Sequence, residues 1–117
     1  MNNKEFGEKL EVRTKVFAIQ VIKLSGSLPQ SNEFKVISYQ ITKSGTSIGA
    51  NYREANRSRS KADFANKIKI CEAEASETLY WLEILSDLKQ INTDHGVVKE
   101  AKEILAIFTS IASKLKL

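Results

Sequence analysis

The segment Ser44-Gly45-Thr46-Ser47-Ile48-Gly49-Ala50-Asn51-Tyr52-Arg53 tells most about the architecture of this chain. Its small and polar residues interrupt an apolar pattern that repeats in steps of three and four residues, as on one face of a helix. The pattern runs through Phe34, Ile37, Ile41, Ser44, Ile48, Asn51 and Ala55. Gly45 and Gly49 leave one side of this helix almost without side-chain bulk, so a neighbouring helix can approach closely. A flexible break between two shorter helices is the alternative interpretation.

A second long helix is predicted to follow, from Lys61 to about Ile91. Ser60 and Asp63 have the spacing of a capping box, with Ser60 at the N-cap and Asp63 reaching back to it. The apolar seam of this helix has the same steps of three and four: Phe64, Ile68, Cys71, Ala75, Thr78, Leu82 and Leu85. We interpret the two helices as the central hairpin of a helical bundle.

Shorter amphipathic helices flank this hairpin on both sides. The first is predicted from Lys4 to Ser25, with two adjoining apolar stripes that form one wide face, Phe6, Leu10, Phe17, Val21 and Leu24 beside Val12, Val16 and Ile19. The last follows the turn at residues 92–96, where Thr93 or Asp94 can serve as the N-cap. Because short loops make successive helices antiparallel, the sequence predicts an all-α, up-down-up-down four-helix bundle in a single domain of residues 1–117.

Composition restricts the classes of function that fit this chain. The N-terminus resembles no secretory signal and no apolar run is long enough to cross a bilayer, so we expect a cytoplasmic protein without membrane contact. His95 is the only histidine and Cys71 the only cysteine. The sequence therefore offers no transition-metal ligand set and no catalytic triad, and it has no phosphate-binding glycine loop. We expect no catalytic residue, no metal, no cofactor and no enzymatic activity.

A basic run begins at the end of the second predicted helix and continues into the third. Its members are Arg53, Arg57, Arg59, Lys61 and Lys67. Arginine forks fit phosphate oxygens, so the run is a candidate contact for a nucleic-acid backbone. A solvated turn is an equally good interpretation, and docking on the acidic face of a neighbouring subunit is a third.

Asn51, Glu74 and Glu77 lie where apolar residues are expected, and Ser47 lies one helical turn before Asn51. Buried carboxylates need partners, and we expect these to pair with Arg53 or other bases, or to bond with Ser47 and Asn51. A single polar seam residue can also fix the register and the oligomeric state of packed helices. We therefore interpret the four residues as an assembly or register seam, rather than as a metal or catalytic site.

With these motifs in view, the chain resembles a bacterial family of four helix bundle proteins, the 23S ribosomal RNA intervening-sequence proteins. The resemblance covers most of residues 6–90, and the last helix matches only in pattern. Its motifs are the segment from Ser44 to Arg53, Arg13-Thr14-Lys15 with Phe17-Ala18, Ser27-Leu28-Pro29, the turn from Arg57 to Phe64, and Glu77 with Tyr80-Trp81-Leu82-Glu83.

The resemblance implies a bundle that assembles into a ring, as a homopentamer. The chain is also similar to the accessory variability protein of diversity-generating retroelements, a strongly basic pentamer that works with a reverse transcriptase and is thought to bind nucleic acid. Here the formal net charge is only +4. Association with RNA or DNA is thus an expectation from kinship and from the basic run. The alternative is an oligomeric scaffold that binds a protein partner without contacting nucleic acid.

Overall fold

Four α-helices joined by short loops form the computed structural model, which describes residues 3–115. They are α1 (Asn3–Gly26), α2 (Asn32–Ala55), α3 (Lys61–Asp87) and α4 (Gly96–Lys114). The described residues contain no strand. The predicted all-α four-helix architecture is confirmed.

Neighbouring helices run antiparallel and follow one another around the bundle. Near the start of α1, Glu11 accepts a hydrogen bond from Asn56 at the end of α2, while Ser25 at the end of α1 contacts Ser38. The helix pairs in contact are α1 with α2, α2 with α3, α3 with α4 and, over a smaller area, α4 with α1. This arrangement is compatible with the predicted up-down-up-down order.

The core is formed by the inward faces of all four helices. Its largest fully buried apolar side chains include Phe17, Val21, Ile41, Ile48, Ile68, Leu82, Leu85, Ile104 and Phe108. Phe108 also meets the ring of Tyr52 edge-on, with the ring centroids 5.4 Å apart. This aromatic contact packs the end of α2 against α4 and stabilises the end of the bundle where the basic run lies.

The glycines of α2 allow α1 to pack directly against the backbone of α2. A Cβ atom on Gly45 would lie 2.8 Å from Val21 Cγ1, and one on Gly49 would lie 2.9 Å from Thr14 Oγ1. The helix runs without interruption through both glycines. The prediction of a close helix approach is confirmed, and the alternative of a flexible break is wrong.

Two details at the helix ends differ from the sequence prediction. Helix α3 ends at Asp87, earlier than expected, because Lys89 adopts a left-handed conformation with φ 63°. The amide of Gln90 then donates to Leu85 O and that of Lys89 to Ser86 O, which is the Schellman pattern. At α4 the N-cap is His95, whose Nδ1 accepts from the amide of Val97 at 3.1 Å. The assignment of this cap to Thr93 or Asp94 was wrong.

The two apolar stripes of α1 do not form one wide face. Leu10, Phe17 and Val21 are buried in the core, whereas Val12 and Val16 lie in solvent with 62% and 49% of their surface exposed. Ile19 is exposed in the same way. The expectation of one wide apolar face is therefore wrong, and the second stripe faces away from the bundle.

Candidate nucleic-acid interface

The basic run lies at one end of the bundle, around the turn between α2 and α3. Asn56 is the C-cap of α2, and the amides of Arg57 and Ser58 donate to Glu54 O and Ala55 O, both at 3.0 Å. Ser60 then starts α3, and its hydroxyl accepts from the amide of Asp63 at 3.0 Å. The N-cap half of the predicted capping box is confirmed. This tight turn projects the intervening basic side chains outward.

Two of the predicted binding residues are already neutralised by acidic neighbours. Arg53 Nε lies 3.4 Å from Glu11 Oε1 on α1, and Lys67 Nζ lies 2.9 Å from Glu54 Oε1 across the α2–α3 contact. The hydrogen bond from Lys67 to Glu54 raises the pKa of the lysine. Arg53 and Lys67 therefore each have a carboxylate partner within the fold, and their charge at the surface is partly compensated. Exposed pairs of this kind add little to stability.

The other three predicted residues, Arg57, Arg59 and Lys61, are exposed and have no acidic side chain within ion-pair distance among residues 3–115. The guanidinium of Arg57 makes only a 3.3 Å hydrogen bond to the backbone oxygen of Arg53. Uncompensated cations at a surface turn are available to an external anion. They form the centre of the candidate interface.

These cations lie beside two separate depressions. Arg57 lines a groove of about 430 Å³ between α1 and α2, together with Lys15 and Arg53. Arg59 and Lys61 line a second depression of about 650 Å³, in which Lys114 from the end of α4 joins them. Sequence reasoning missed Lys114 as an interface residue. Its position follows from antiparallel order, because that order places the end of α4 beside the turn between α2 and α3.

We name the set Arg57, Arg59, Lys61 and Lys114 the basic end. Such cations suit the negatively charged, evenly spaced phosphates of a nucleic-acid backbone, which several side chains can contact at once. Tyr52 is unable to stack on a base, since it is only 3% exposed, and burial raises the pKa of its phenol. Tyr80 is exposed but lies on α3, far along the chain from the turn.

The predicted polar seam is satisfied mainly within single helices. Ser47 donates to Lys43 O at 2.6 Å, and Asn51 donates to Ser47 O at 2.9 Å. On α3, Glu77 accepts a hydrogen bond from the Trp81 indole at 3.1 Å, and Glu74 lies partly buried beside it. Among the described residues, no hydrogen bond joins Ser47 or Asn51 to either glutamate.

The pairing expected for these carboxylates is also different. Arg53, which we expected beside Glu74 or Glu77, pairs with Glu11. The role of the seam in assembly stays a prediction.

Groups that could support catalysis or metal binding are used structurally. His95 caps α4, as described above, and Cys71 is buried, which raises the pKa of its thiol to about 12. Within residues 3–115, no three His, Cys, Asp or Glu side chains cluster in the way a metal site requires. No helix in that range is both long and apolar enough to cross a membrane.

Comparison with known proteins places this architecture in a family. None of the curated proteins compared matches the chain. A crystal structure from Bacteroides thetaiotaomicron VPI-5482, described as a protein of unknown function from the S23 ribosomal protein family, is similar over 87% of this chain and 96% of its own, with 38% sequence identity and a TM-score of 0.79. The family model described as 23S rRNA-intervening sequence protein matches residues 8–114. The chain therefore belongs to the 23S rRNA-intervening sequence protein family.

Proposed function

We propose that this protein is a non-enzymatic, ring-forming four-helix bundle that associates with RNA or DNA through its basic end. The observation that carries the proposal is the absence of acidic partners for Arg57, Arg59 and Lys61 within residues 3–115, while Arg53 and Lys67 beside them are paired. Cations left uncompensated on one turn provide a surface for phosphate groups.

Ring formation would multiply this surface. The family resemblance implies a homopentamer, and each copy would add one basic end to the assembly. Linked sites bind a long polyanion more strongly than one site does, because the later contacts form at high effective concentration. This explains how a protein of modest net charge could hold nucleic acid. The family description refers to 23S rRNA, so RNA is the first ligand to test.

Fluorescence anisotropy with labelled probes tests the proposal. The probes are a structured RNA hairpin, a single-stranded RNA and a DNA duplex. Affinity should fall steeply between about 50 and 200 mM salt, since each phosphate contact releases counterions. The variant R57E/R59E should lose most of this affinity. K99E/K102E is the matched control, because it makes the same change in net charge on the exposed side of α4 and should bind almost as well as the wild type.

Two results would contradict the proposal. One is a lack of binding to all three probes at low salt, and the other is equal loss of affinity in both charge-reversal variants. Circular dichroism of each variant shows whether the helices are retained. The ratio of absorbance at 260 and 280 nm of the purified wild-type protein also shows whether nucleic acid co-purifies with it.

A protein-interaction scaffold is the second candidate function. It is favoured by the apolar side chains that α1 and α3 expose to solvent, among them Val12 and Tyr80. Exposed apolar surface of this kind is typical of protein contacts. On this alternative, a stable protein partner would remain bound after nuclease treatment, and R57E/R59E would not affect its binding.

A further inference from the structure

The outward side of α1 carries a strip of aliphatic residues that the protomer does not cover. Val12, Val16, Ile19 and Ile22 follow in helical steps and are 62%, 49%, 44% and 50% exposed. Residues spaced by three or four positions are neighbours on a helix surface, so the four side chains form one continuous strip. The strip points away from the core residues of α1. We call it the α1 strip.

Helix α3 and its C-cap residue Leu88 also expose apolar side chains on one face, although Ala73 and Glu77 separate the first of them from the others. Ile70, Tyr80 and Leu88 are 41%, 54% and 49% exposed, and the half-buried Ile84 lies between the last two. Glu77 shares this face, one turn before Tyr80. We call this surface the α3 strip. It overlaps the predicted polar seam only at Glu77.

Helix α4 has no such surface. Its exposed side presents mainly lysine and hydroxyl side chains, at Lys99, Lys102, Thr109, Ser110 and Ser113. On α2 the exposed large apolar residues are Val36 and Tyr39, both near the start of the helix, so they do not extend along it as the residues on α1 and α3 do. Helices α1 and α3 do not contact each other, and each packs between α2 and α4. Their outward faces thus point to opposite sides of the molecule.

The two strips carry opposite charge. From Val12 to Gly26 the sequence of α1 contains bases and no acid, and Lys15 and Lys23 are exposed beside the aliphatic residues. From Ile70 to Leu88 the sequence contains acids and no base, with Glu77 and Asp87 exposed. Opposite potentials on two apolar surfaces favour their contact, whereas pairing either strip with itself brings like charges together.

We propose that the α1 strip of one copy packs against the α3 strip of a second copy, in a head-to-tail contact. Because the strips lie on opposite sides of the bundle, each copy in such a contact keeps one strip open for the next copy. Repetition of a contact of this type closes into a ring when the rotation between copies permits it. The inference rests on the ring formation in the proposed function and specifies the surfaces that form it. The residues of the two strips are separate from those of the basic end, so the contact between copies and the contact with nucleic acid can be tested separately.

Disulfide crosslinking tests the contact directly. The variants are V16C, V16C/Y80C, Y80C and the control A106C on the exposed side of α4. The native Cys71 is fully buried, so we expect it to form no disulfide in this assay. Under mild oxidation, a mixture of V16C with Y80C should give crosslinked dimers, and the double variant should give a ladder of higher species. V16C alone, Y80C alone and A106C should remain uncrosslinked.

A second measurement uses charge reversal and light scattering. The variants K15E/K23E and E77K/D87K should each lose the oligomeric mass of the wild type, since each places like charges on both strips. An equimolar mixture of the two should have a higher mass than either variant alone, because the strips of one variant then complement those of the other. The full wild-type mass is not expected of a five-membered ring, since two variants cannot alternate completely around an odd number of copies. R57E/R59E serves as the matched control and should keep the wild-type mass.

Several results would overturn the inference. The first is a wild-type protein that is monomeric. The second is a V16C or Y80C variant that crosslinks to itself as readily as V16C crosslinks to Y80C. The third is a charge-reversal variant that keeps the oligomeric mass of the wild type. These outcomes are separate from failure of the proposed nucleic-acid binding. If the protein forms the head-to-tail assembly but binds no nucleic-acid probe, the result supports the contact between copies and contradicts only the proposed nucleic-acid binding.

Discussion

Thr78 Oγ1 lies 2.9 Å from Ser44 Oγ and donates a hydrogen bond to it across the α2–α3 contact, where both side chains are almost completely buried. Thr78 is also within 2.8 Å of Glu74 O, and Ser44 donates to Ile41 O at 3.4 Å. Since a hydroxyl carries one proton, Thr78 donates to one acceptor at a time. The pair is a buried hydrogen bond between side chains across the α2–α3 contact, the most extensive helix contact of the bundle.

We expect Thr78→Val to lower the free energy of unfolding by about 1 kcal/mol, because it removes the donor at nearly constant volume and leaves Ser44 with a weaker set of partners. The double variant S44A/T78V should lose less than the sum of the two single variants, since neither polar group is then left unpaired. Urea denaturation of the four proteins measures this coupling. Strictly additive losses would contradict a direct interaction.

Gly45→Ala should destabilise the protein even though alanine favours helix formation by about 1 kcal/mol. The added methyl group would lie 2.8 Å from Val21 Cγ1, and Val21 is fully buried, so overpacking of about 1–3 kcal/mol should prevail. Thermal denaturation followed by circular dichroism measures the change.

Two variants control for this effect. Gly26→Ala has open space around the new methyl group and should be neutral or slightly stabilising. Val21→Ala in the Gly45→Ala background makes room for the methyl group, so it should cost less than Val21→Ala alone. A G45A protein as stable as the wild type would show that α1 can shift away from α2.

Lys89→Gly should raise the melting temperature. Lys89 holds a left-handed conformation at φ 63°, which costs an L-residue roughly 1 kcal/mol and glycine almost nothing. Its side chain is exposed, so little else is lost. Lys102→Gly, in the middle of α4, is the matched control and should lower stability by about 1 kcal/mol. Equal destabilisation by both changes would count against the Schellman ending of α3.

Stability should fall in alkaline solution partly through Cys71. Burial raises the pKa of its thiol to about 12, whereas an unfolded cysteine titrates near 8.5. Between these values the unfolded chain binds fewer protons than the folded one, so raising the pH favours unfolding. At pH 10 the loss should be about 2 kcal/mol relative to neutral pH.

The variant C71A isolates this contribution, because it keeps every other titrating group. Urea denaturation at pH 7 and pH 10 should show a smaller alkaline loss for C71A than for the wild type. An equal loss in the two proteins would mean that the folded thiol ionises freely. Iodoacetamide provides a second check, since it should modify the wild type in urea and leave the folded protein unmodified at pH 8.

The sequence by itself determined the number and approximate limits of the helices, because the three-four spacing of apolar residues and the caps are local properties of the chain. It also determined that α2 permits a close neighbour, because Gly45 and Gly49 lack side chains in any environment. The positions of Ser60 and of the basic turn were likewise readable, because capping and charge depend on short stretches.

Only the tertiary structure decided which groups meet across helices. It paired Arg53 with Glu11 and Lys67 with Glu54, brought Lys114 to the basic end, and turned Val12 and Val16 outward. Helical periodicity assigns residues to a face, but the direction of that face depends on where the other helices lie. Contacts between residues far apart in the chain follow from packing, which one helix taken alone does not specify.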